Sequence, residues 1–388
     1  MKSDQIPRVI PTHIMIKLFS TNKRKKLAVS SVVVSIIALG AIVAIVASIS
    51  ISSGAFGGAA GTRAVYIIDN SASSNKVWVY ARNPNGQLSS TGTPFSTGGK
   101  GTGSNLASQG AVVLDGRWLL VVDAGSNQIT VFRVQGAYLV WASITGSQGK
   151  VPISLAVSKN LVYVLDNSSA NIAGFTLSNG ALKPIPGSVQ PLSGANSVPE
   201  QIGFNPQGNV LVVTEKATNT IDTYTVDSKG VASAPLSQAS AGSGPYAFAF
   251  TNQGQLILSE AASNTVSSYA VSDNGKLRTI SGAIPIFGLA PCWLVIGGSG
   301  QFAYTANAHG GTISTFSISR TGGLTLFSSV AAQTAVPALD MAFSQNSQFL
   351  YIRNGGMISG YQVFSDDSIS WITSLSAIPS SATGLAAV

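Results

Sequence analysis

Cysteine and charge are both scarce in this sequence. Cys292 is the only cysteine, so no disulfide can form within the chain, and burial of apolar side chains has to stabilise the fold. We expect Cys292 to be a buried small side chain rather than a reactive thiol. Only 9% of the residues are charged, and no stretch carries the alternating charges of an exposed amphipathic helix. With 41 glycines among many Ser, Thr, Asn, Val and Ile residues, the composition predicts an all-β protein.

The positive charge of the chain is concentrated at its amino terminus. The formal net charge is +8, but seven of the 22 basic residues precede residue 27, where only Asp4 opposes them. The remaining residues carry 15 basic and 13 acidic side chains, which provide no basic face for a phosphate backbone. We therefore expect no nucleic-acid partner.

One long hydrophobic run, residues 27–51, contains no charged residue. As a helix it would be about 37 Å long, enough to span a hydrocarbon core of roughly 30 Å. A cleavable signal peptide usually has an apolar region of only about 7–15 residues, although Ser53-Gly54-Ala55 would suit a cleavage site. Lys23 to Lys26 precede the run, so the positive-inside rule places the amino terminus in the cytoplasm.

These features predict a single-pass membrane protein whose main domain is exported to the cell surface. We expect a basic cytoplasmic tail, a transmembrane helix acting as a signal anchor, a flexible Gly/Ala/Ser linker and an extracytoplasmic domain, over residues 1–26, 27–51, 52–63 and 64–388 respectively.

A unit of strand, polar turn and strand recurs seven times in residues 64–388. Each copy places an aliphatic residue three positions before an aromatic one: Val77 and Tyr80, Ile129 and Phe132, Ile172 and Phe175, Ile221 and Tyr224, Val266 and Tyr269, Ile313 and Phe316, Ile358 and Tyr361. The aromatic residues are 52, 43, 49, 45, 47 and 45 residues apart, which is typical of four-stranded propeller blades. Because side chains three apart in a strand face opposite sides, each pair should contact two neighbouring blades.

The two ends of the repeat region complement each other. Prolines open the inner strands, at Pro152, Pro199, Pro245, Pro291 and Pro337, and Pro379 precedes one more apolar strand near the carboxyl terminus. The first copy has no inner strand before it, so we expect residues 382–388 to pair antiparallel with residues 64–69 and to close a ring. The sequence thus predicts an all-β, seven-bladed β-propeller with an N-terminal transmembrane helix.

The order of Gly-Pro, inner strand, Gly turn, second strand ending in an acid, and third strand resembles the seven-bladed lactonase propellers. These are the 6-phosphogluconolactonase-like and carboxymuconate-cyclase-like proteins. The resemblance implies a Pro-His and a Gly-Pro-Arg-His at inner-strand starts and a Glu at the end of the next strand. Here the matching residues are Pro199-Glu200 and Gly244-Pro245-Tyr246-Ala247, whereas Glu260 is kept as the candidate catalytic residue. The base and the cationic group that lactone hydrolysis needs are both missing by this comparison.

Polar residues end the second strand of every copy: Asp69, Asp123, Asp166, Glu215, Glu260, Asn307 and Asn354. We expect this polar column to ring one mouth of the central channel, beside Glu200, Tyr246 and Cys292. One interpretation is turn chemistry, in which Asp and Asn accept backbone N–H bonds, and the other is a site for a divalent cation such as calcium. His309, the only histidine after residue 63, cannot form a multi-histidine metal site, and we expect it to be an ordinary turn residue.

The leading functional prediction is a binding or scaffolding module without lactonase chemistry, and the alternative is a lactonase acting on a sugar lactone. The acidic mouth should repel phosphate and carboxylate groups, so it should reject 6-phosphogluconolactone. Glu200 and Tyr246 should neither hold an anion nor supply a base poised near neutral pH. Besides the membrane, bound through residues 27–51, the expected partner is a protein or small molecule at the propeller face. No cofactor is expected apart from a divalent cation.

Overall fold

The computed structural model describes residues 63–388, and all the regular structure in that range is β-strand. The predicted cytoplasmic tail, the transmembrane helix and the linker up to residue 62 lie outside the described residues. Within residues 63–388 we find no helix with the length and hydropathy of a membrane span.

Thirty strands make up this domain. In chain order they are β1 (Arg63–Ile68), β2 (Lys76–Arg82), β3 (Leu88–Ser90), β4 (Phe95–Ser96), β5 (Val112–Asp115), β6 (Trp118–Asp123), β7 (Gln128–Gln135), β8 (Tyr138–Gly146), β9 (Pro152–Ser158), β10 (Leu161–Asp166), β11 (Asn171–Ser178), β12 (Ala181–Pro184), β13 (Gln190–Pro191), β14 (Pro199–Phe204), β15 (Val210–Glu215), β16 (Thr220–Thr225), β17 (Leu236–Ala239), β18 (Pro245–Phe250), β19 (Gln255–Glu260), β20 (Thr265–Val271), β21 (Leu277–Pro285), β22 (Pro291–Ile296), β23 (Phe302–Asn307), β24 (Thr312–Ile318), β25 (Leu324–Gln333), β26 (Ala338–Phe343), β27 (Phe349–Asn354), β28 (Met357–Val363), β29 (Ile369–Leu375) and β30 (Thr383–Ala387).

The strands form seven antiparallel sheets, which confirms the predicted blade count. The first blade has the order β30-β1-β2-β3 with β4 beside β2, and the third has β9 to β12 with β13 beside β11. The other five blades are the consecutive sets β5 to β8, β14 to β17, β18 to β21, β22 to β25 and β26 to β29. Each inner strand contacts the inner strand of the next blade, from β30 through β5, β9, β14, β18, β22 and β26 back to β30. The inner strands therefore surround a central channel.

The ring closes as the two chain ends predict. β30 pairs antiparallel with β1, with Val65 opposite Ala387, and the Val388 amide donates to the Ala64 carbonyl over 2.9 Å. Arg82 Nε on β2 donates to the Val388 carbonyl over 3.0 Å. The closing strand begins four residues after Pro379 rather than at that proline. Since the ring closes within residues 63–388, this domain can be studied without the segment that precedes it.

The aliphatic and aromatic columns pack as predicted, on opposite sides of each third strand. In the third blade, Ile172 belongs to the apolar cluster that contains Val213 of the fourth blade, whereas Phe175 belongs to the one that contains Leu139 of the second blade. All seven aromatic side chains of the column are buried. Blade-to-blade burial therefore replaces the missing disulfides as the source of stability.

We call the face of the ring where the inner strands begin and the second strands end the upper face. The polar column and the inner-strand prolines therefore lie at the upper face. The opposite face, the lower face, carries the turns between inner and second strands, and β1 begins there at Arg63.

Candidate functional site

Residues 105–110, which link the first blade to the second, cross the central channel near the upper face, and we call them the crossing segment. The side-chain amide of Gln109 bonds to β22 as the main chain of an adjacent strand would. Its Nε2 donates to the Leu294 carbonyl over 2.9 Å, and its Oε1 accepts from the Leu294 amide over 3.1 Å. Trp293 Nε1 donates to the Ser108 carbonyl over 3.2 Å. The crossing segment is thus fixed to the sixth blade, on the far side of the ring.

A pocket of about 600 Å³ opens at the upper face beside the crossing segment, and we call it the mouth pocket. Turns and inner-strand starts of the fourth to seventh blades form its walls. Most of the wall is apolar, including Tyr246, Ala262, Leu289, Trp293, Ala308 and Leu339. The rings of Tyr246 and Trp293 lie 5.2 Å apart between centroids, and the Tyr246 hydroxyl donates to the Ala107 carbonyl of the crossing segment. The aromatic pair therefore forms a rigid wall.

Lys216 supplies the only formal charge among the residues of the described domain that line the mouth pocket. Its Nζ lies 2.6 Å from Glu200 Oε1 and 5.3 Å from the centre of the Tyr246 ring. The lysine side chain is 39% exposed, whereas the Glu200 side chain beneath it is 3% exposed and is not part of the lining. Lys216 therefore faces the pocket and Glu200 acts as its buried counter-ion.

The structure corrects two expectations about this region. Burial raises the pKa of Glu200 to about 7, against the opposing effect of Lys216, so this carboxyl does titrate near neutral pH. A cationic group is present as well, because Lys216 lies in the pocket although the comparison with the lactonase motifs does not point to it. Glu200 lies close to both Tyr246 and Cys292.

His309 and Asn264 add hydrogen-bonding groups to the lining. His309 lies in the turn after β23, and its amide donates to the Leu289 carbonyl over 3.3 Å. Asn264 Oδ1 accepts from the Ala290 amide over 2.7 Å. His309 is thus a turn residue, as predicted, but its turn borders the pocket.

Cys292 also lines the mouth pocket and is partly exposed rather than fully buried. Burial of most of the side chain, with the Glu200 carboxylate nearby, raises the pKa of its thiol to about 12. The thiol stays protonated at physiological pH, in agreement with the expectation of an unreactive cysteine.

The polar column lies at the upper face but its members are buried and separate. Asp123 Oδ1 accepts from Thr97 Oγ1 over 2.6 Å and from Asn75 Nδ2 over 2.9 Å, while Oδ2 accepts from Thr130 Oγ1 over 2.7 Å. Asn75 lies in the turn between β1 and β2 and Thr97 directly follows β4, both in the first blade, whereas Thr130 lies on β7 in the second. The carboxylate therefore joins two blades.

The Glu260 carboxylate is likewise surrounded by hydrogen-bond donors. It accepts from the Gly242 amide over 2.6 Å and from the hydroxyls of Ser240, Thr265 and Ser267 over 2.9, 2.6 and 2.8 Å. None of the column residues Asp69, Asp123, Asp166, Glu215, Glu260, Asn307 and Asn354 lines the mouth pocket. These contacts favour the turn-chemistry interpretation, and a catalytic role for Glu260 stays a prediction.

Three blades lack the hydroxyl that the third strand donates elsewhere. In the first blade Trp78 stands at this position, and its Nε1 donates to Asp69 Oδ2 over 3.2 Å instead. In the third blade Ala173 stands where Thr130 stands in the second, and both oxygens of the buried Asp166 have no hydrogen-bond partner. Burial raises the pKa of Asp166 to about 7. In the fourth blade Asp222 occupies the same position beside Glu215, and burial together with this second carboxyl raises the pKa of Asp222 to about 7. The amide of Ser193 donates to both carboxyls.

No group of three or more His, Cys, Asp or Glu side chains in residues 63–388 is arranged to hold a metal ion. The acids that would coordinate calcium are spread over separate blades, and all of them except Asp166 accept hydrogen bonds from nearby groups. Calcium binding at this face therefore stays a prediction.

Solved structures with low sequence identity share this fold. A putative 6-phosphogluconolactonase from Bacteroides fragilis is 16% identical, with 85% of this chain and 99% of that chain covered and a TM-score of 0.65. A periplasmic gluconolactonase from Pseudomonas aeruginosa is 17% identical, with 84% and 99% covered and a TM-score of 0.67. A protein from Lactobacillus plantarum is 16% identical, with 84% and 99% covered and a TM-score of 0.71.

Sequence comparison provides the family. A search of curated protein sequences finds no significant match. The family model described as lactonase, 7-bladed beta-propeller, however, matches residues 60–191 and 187–355, which is most of the chain. Together with the closed seven-bladed ring, this match shows that the chain belongs to the lactonase family of seven-bladed β-propellers.

Proposed function

We propose that this chain is an exported, membrane-anchored binding propeller whose mouth pocket takes a small, mainly apolar ligand with one anionic or hydrogen-bond-accepting group. The observation that carries the proposal is the chemistry of the pocket wall. Apolar and aromatic side chains form most of it, Lys216 is the one charged residue there, and no carboxylate from the described domain lines it. The ammonium of Lys216 has three N–H donors, of which Glu200 engages one, so donors remain for a ligand.

Neither of the two carboxyls near the pocket is placed as a general base, which argues against lactone hydrolysis as the main function. A general base has to reach the attacking water, whereas Glu200 lies beneath Lys216 and Glu260 is fully occupied by hydroxyl and amide donors. One observation keeps lactonase activity as the second candidate. His309 and Lys216 line the same pocket, so a proton acceptor and a positive charge are both available to a substrate.

We expect the purified domain of residues 56–388 to bind 1-anilinonaphthalene-8-sulfonate, an apolar fluorescent anion, with saturation at one equivalent. Lys216→Met keeps the apolar stem but removes the charge, so affinity should fall about tenfold, the cost of one charge-assisted contact. Fluorescence titration measures the affinity and the stoichiometry of binding. Lys229→Met, in an exposed turn of the lower face, is the matched control and should bind like the unmodified domain.

The pH dependence of the same titration separates the pocket from non-specific binding. The sulfonate stays ionised, so its affinity should rise as the pH falls through about 7, where Glu200 takes up a proton and stops neutralising Lys216. The Glu200→Gln variant has no carboxylate to neutralise Lys216, so it should bind the sulfonate tightly even at pH 8. His309 also lines the pocket, so His309→Ala is measured beside it. Affinity independent of Lys216 and of Glu200 would contradict the proposed site.

A lactone assay on the same protein tests the second candidate. We expect hydrolysis of 6-phosphogluconolactone at no more than the spontaneous rate. Turnover above that rate that is abolished by His309→Ala or Glu260→Gln would establish the lactonase instead. Calcium titration by calorimetry belongs to the same series, since it tests the predicted use of the polar column.

The proposed anchoring is tested separately. Protease added to intact cells should remove the propeller, because the basic residues before residue 27 favour a cytoplasmic amino terminus. Immunoblotting with antibodies against the domain measures its loss. Digestion that occurs only after lysis would reverse the topology.

A further inference from the structure

A second cavity, of about 310 Å³, lies at the lower edge of the ring between the second and third blades, and we call it the lower cavity. Its lining includes Arg117, Trp118, Arg133, Val140 and Asn179. Arg117 and Trp118 belong to the turn and start of β6, Arg133 to β7, and Asn179 to the turn between β11 and β12. The lower cavity is therefore distinct from the mouth pocket in both blades and face.

Arg117 and Arg133 both lie beside Trp118. Trp118 on β6 is directly opposite Arg133 on β7, so their side chains are neighbours on the same face of the blade. Arg117 precedes Trp118, and its guanidinium lies 5.0 Å from the centre of the Trp118 ring. Both guanidinium groups thus border one small space.

Packing holds Trp118 in place beside Arg117. Gly180 of the third blade lies against the indole, where an added Cβ would lie 2.6 Å from a ring carbon. The tryptophan therefore contacts both the third blade and the Arg117 guanidinium. Stacking fixes the plane of a guanidinium, so less rotational freedom is lost when it binds a ligand.

The donors of this cavity have no protein acceptors. Neither guanidinium makes an ion pair or a side-chain hydrogen bond with any residue in the range 63–388, where the ion pairs are Lys216 with Glu200 and Arg353 with Asp340. No Asp or Glu of this range lines the cavity. Two neighbouring positive charges without a counter-ion repel each other, and a bound anion relieves that repulsion.

We propose that the lower cavity is an oxyanion site in which Arg117 and Arg133 bind a phosphate or carboxylate group of a small ligand. A planar guanidinium presents paired N–H donors that match two oxygens of either group. Asn179 adds an amide at the rim. The site does not depend on the ligand proposed for the mouth pocket, because no residue is shared between the two linings.

Calorimetric titration of the 56–388 domain with inorganic phosphate and, separately, with citrate tests the site. Sodium chloride is held constant at about 0.15 M, the physiological ionic strength. We expect saturable binding of at least one of the two anions. Arg117→Gln and Arg133→Gln should each weaken it about tenfold, and Arg117→Lys should restore only part of the affinity, because an ammonium lacks the planar pair of donors.

Arg320→Gln, which removes an exposed arginine from another lower-face turn, is the matched control and should bind like the unmodified domain. Thermal melts of every variant establish that the ring is intact. A phosphate response without a citrate response would assign a phosphate site, and the reverse a carboxylate site. No saturable heat with either anion, or equal affinity in Arg133→Gln, would overturn the proposal.

Discussion

Removal of residues 379–388 should unfold the ring at temperatures where the complete domain is stable. The deletion takes away β30 and the residues before it, including the buried Ala382, Leu385 and Ala386, and it leaves the inner edge of β1 unpaired. Burial of one leucine contributes about 1.5–3 kcal/mol, and the lost main-chain bonds add to that. The total is comparable with the roughly 5–15 kcal/mol that stabilises a typical domain. Circular dichroism melts and solubility measure the effect.

A transplanted strand is the control for that deletion. Residues 379–388 inserted directly before residue 63 would form a hairpin with β1, because Ala387 is opposite Val65 near the start of β1. This variant should recover most of the melting temperature, which shows that the missing partner of β1 is the cause. A truncated domain that melts at the same temperature as the complete one would refute the ring closure.

The free energy of unfolding should be larger at pH 5 than at pH 8. Burial raises the pKa of Asp166, Asp222 and Glu200 to about 7 and that of Asp340 to about 6. Between about pH 4 and pH 7 the folded chain therefore holds protons that the unfolded chain has released, so stability falls as the pH rises through this window. Urea unfolding at a series of pH values gives the slope.

Asp166→Asn isolates one contribution. Its pKa rises from 3.8 to about 7, which corresponds to up to about 4 kcal/mol of destabilisation at pH 8 that the uncharged amide removes. We expect the variant to gain stability at pH 8 and little at pH 5. Asp366→Asn is the control, because that exposed carboxylate is ionised throughout the range and its removal should leave the slope unchanged. A stability that rises from pH 5 to pH 8 would be incompatible with these buried acids.

The fold could be predicted because every blade repeats the same burial requirement. The residue pairs of the third strands recur in all seven copies, and each pair reports on two blade contacts, so the pattern is visible without any structure. The ring closure could be predicted as well, because the first copy lacks an inner strand and an extra apolar strand follows Pro379. The crossing segment could not be predicted in this way, because it occurs once. Its trace in the sequence is the longest aromatic spacing, 52 residues between Tyr80 and Phe132.

The mouth pocket could be predicted only in part, because the pattern that the seven copies share does not mark its charged and hydrogen-bonding residues. The first residue after the polar column is charged in one copy alone, at Lys216, and the second is a histidine in one copy alone, at His309. Both of these exceptions line the pocket. In a repeat protein, the shared residues build the blades, so departures from the repeat are where a binding site can be found. The pKa of Glu200 needed the structure, because burial beneath Lys216 determines it.

The crossing segment joins several blades to one another across the axis of the ring. Its contacts reach Ile153 of the third blade, Glu200 of the fourth, Leu294 of the sixth and Ala382 of the first. The segment therefore fastens four blades to one another across the axis, in addition to the contacts that each blade makes with its neighbours. Displacement of one of these blades would strain the hydrogen bonds to the other three, so we expect the inner strands at the upper face to respond to a local change as one rigid unit.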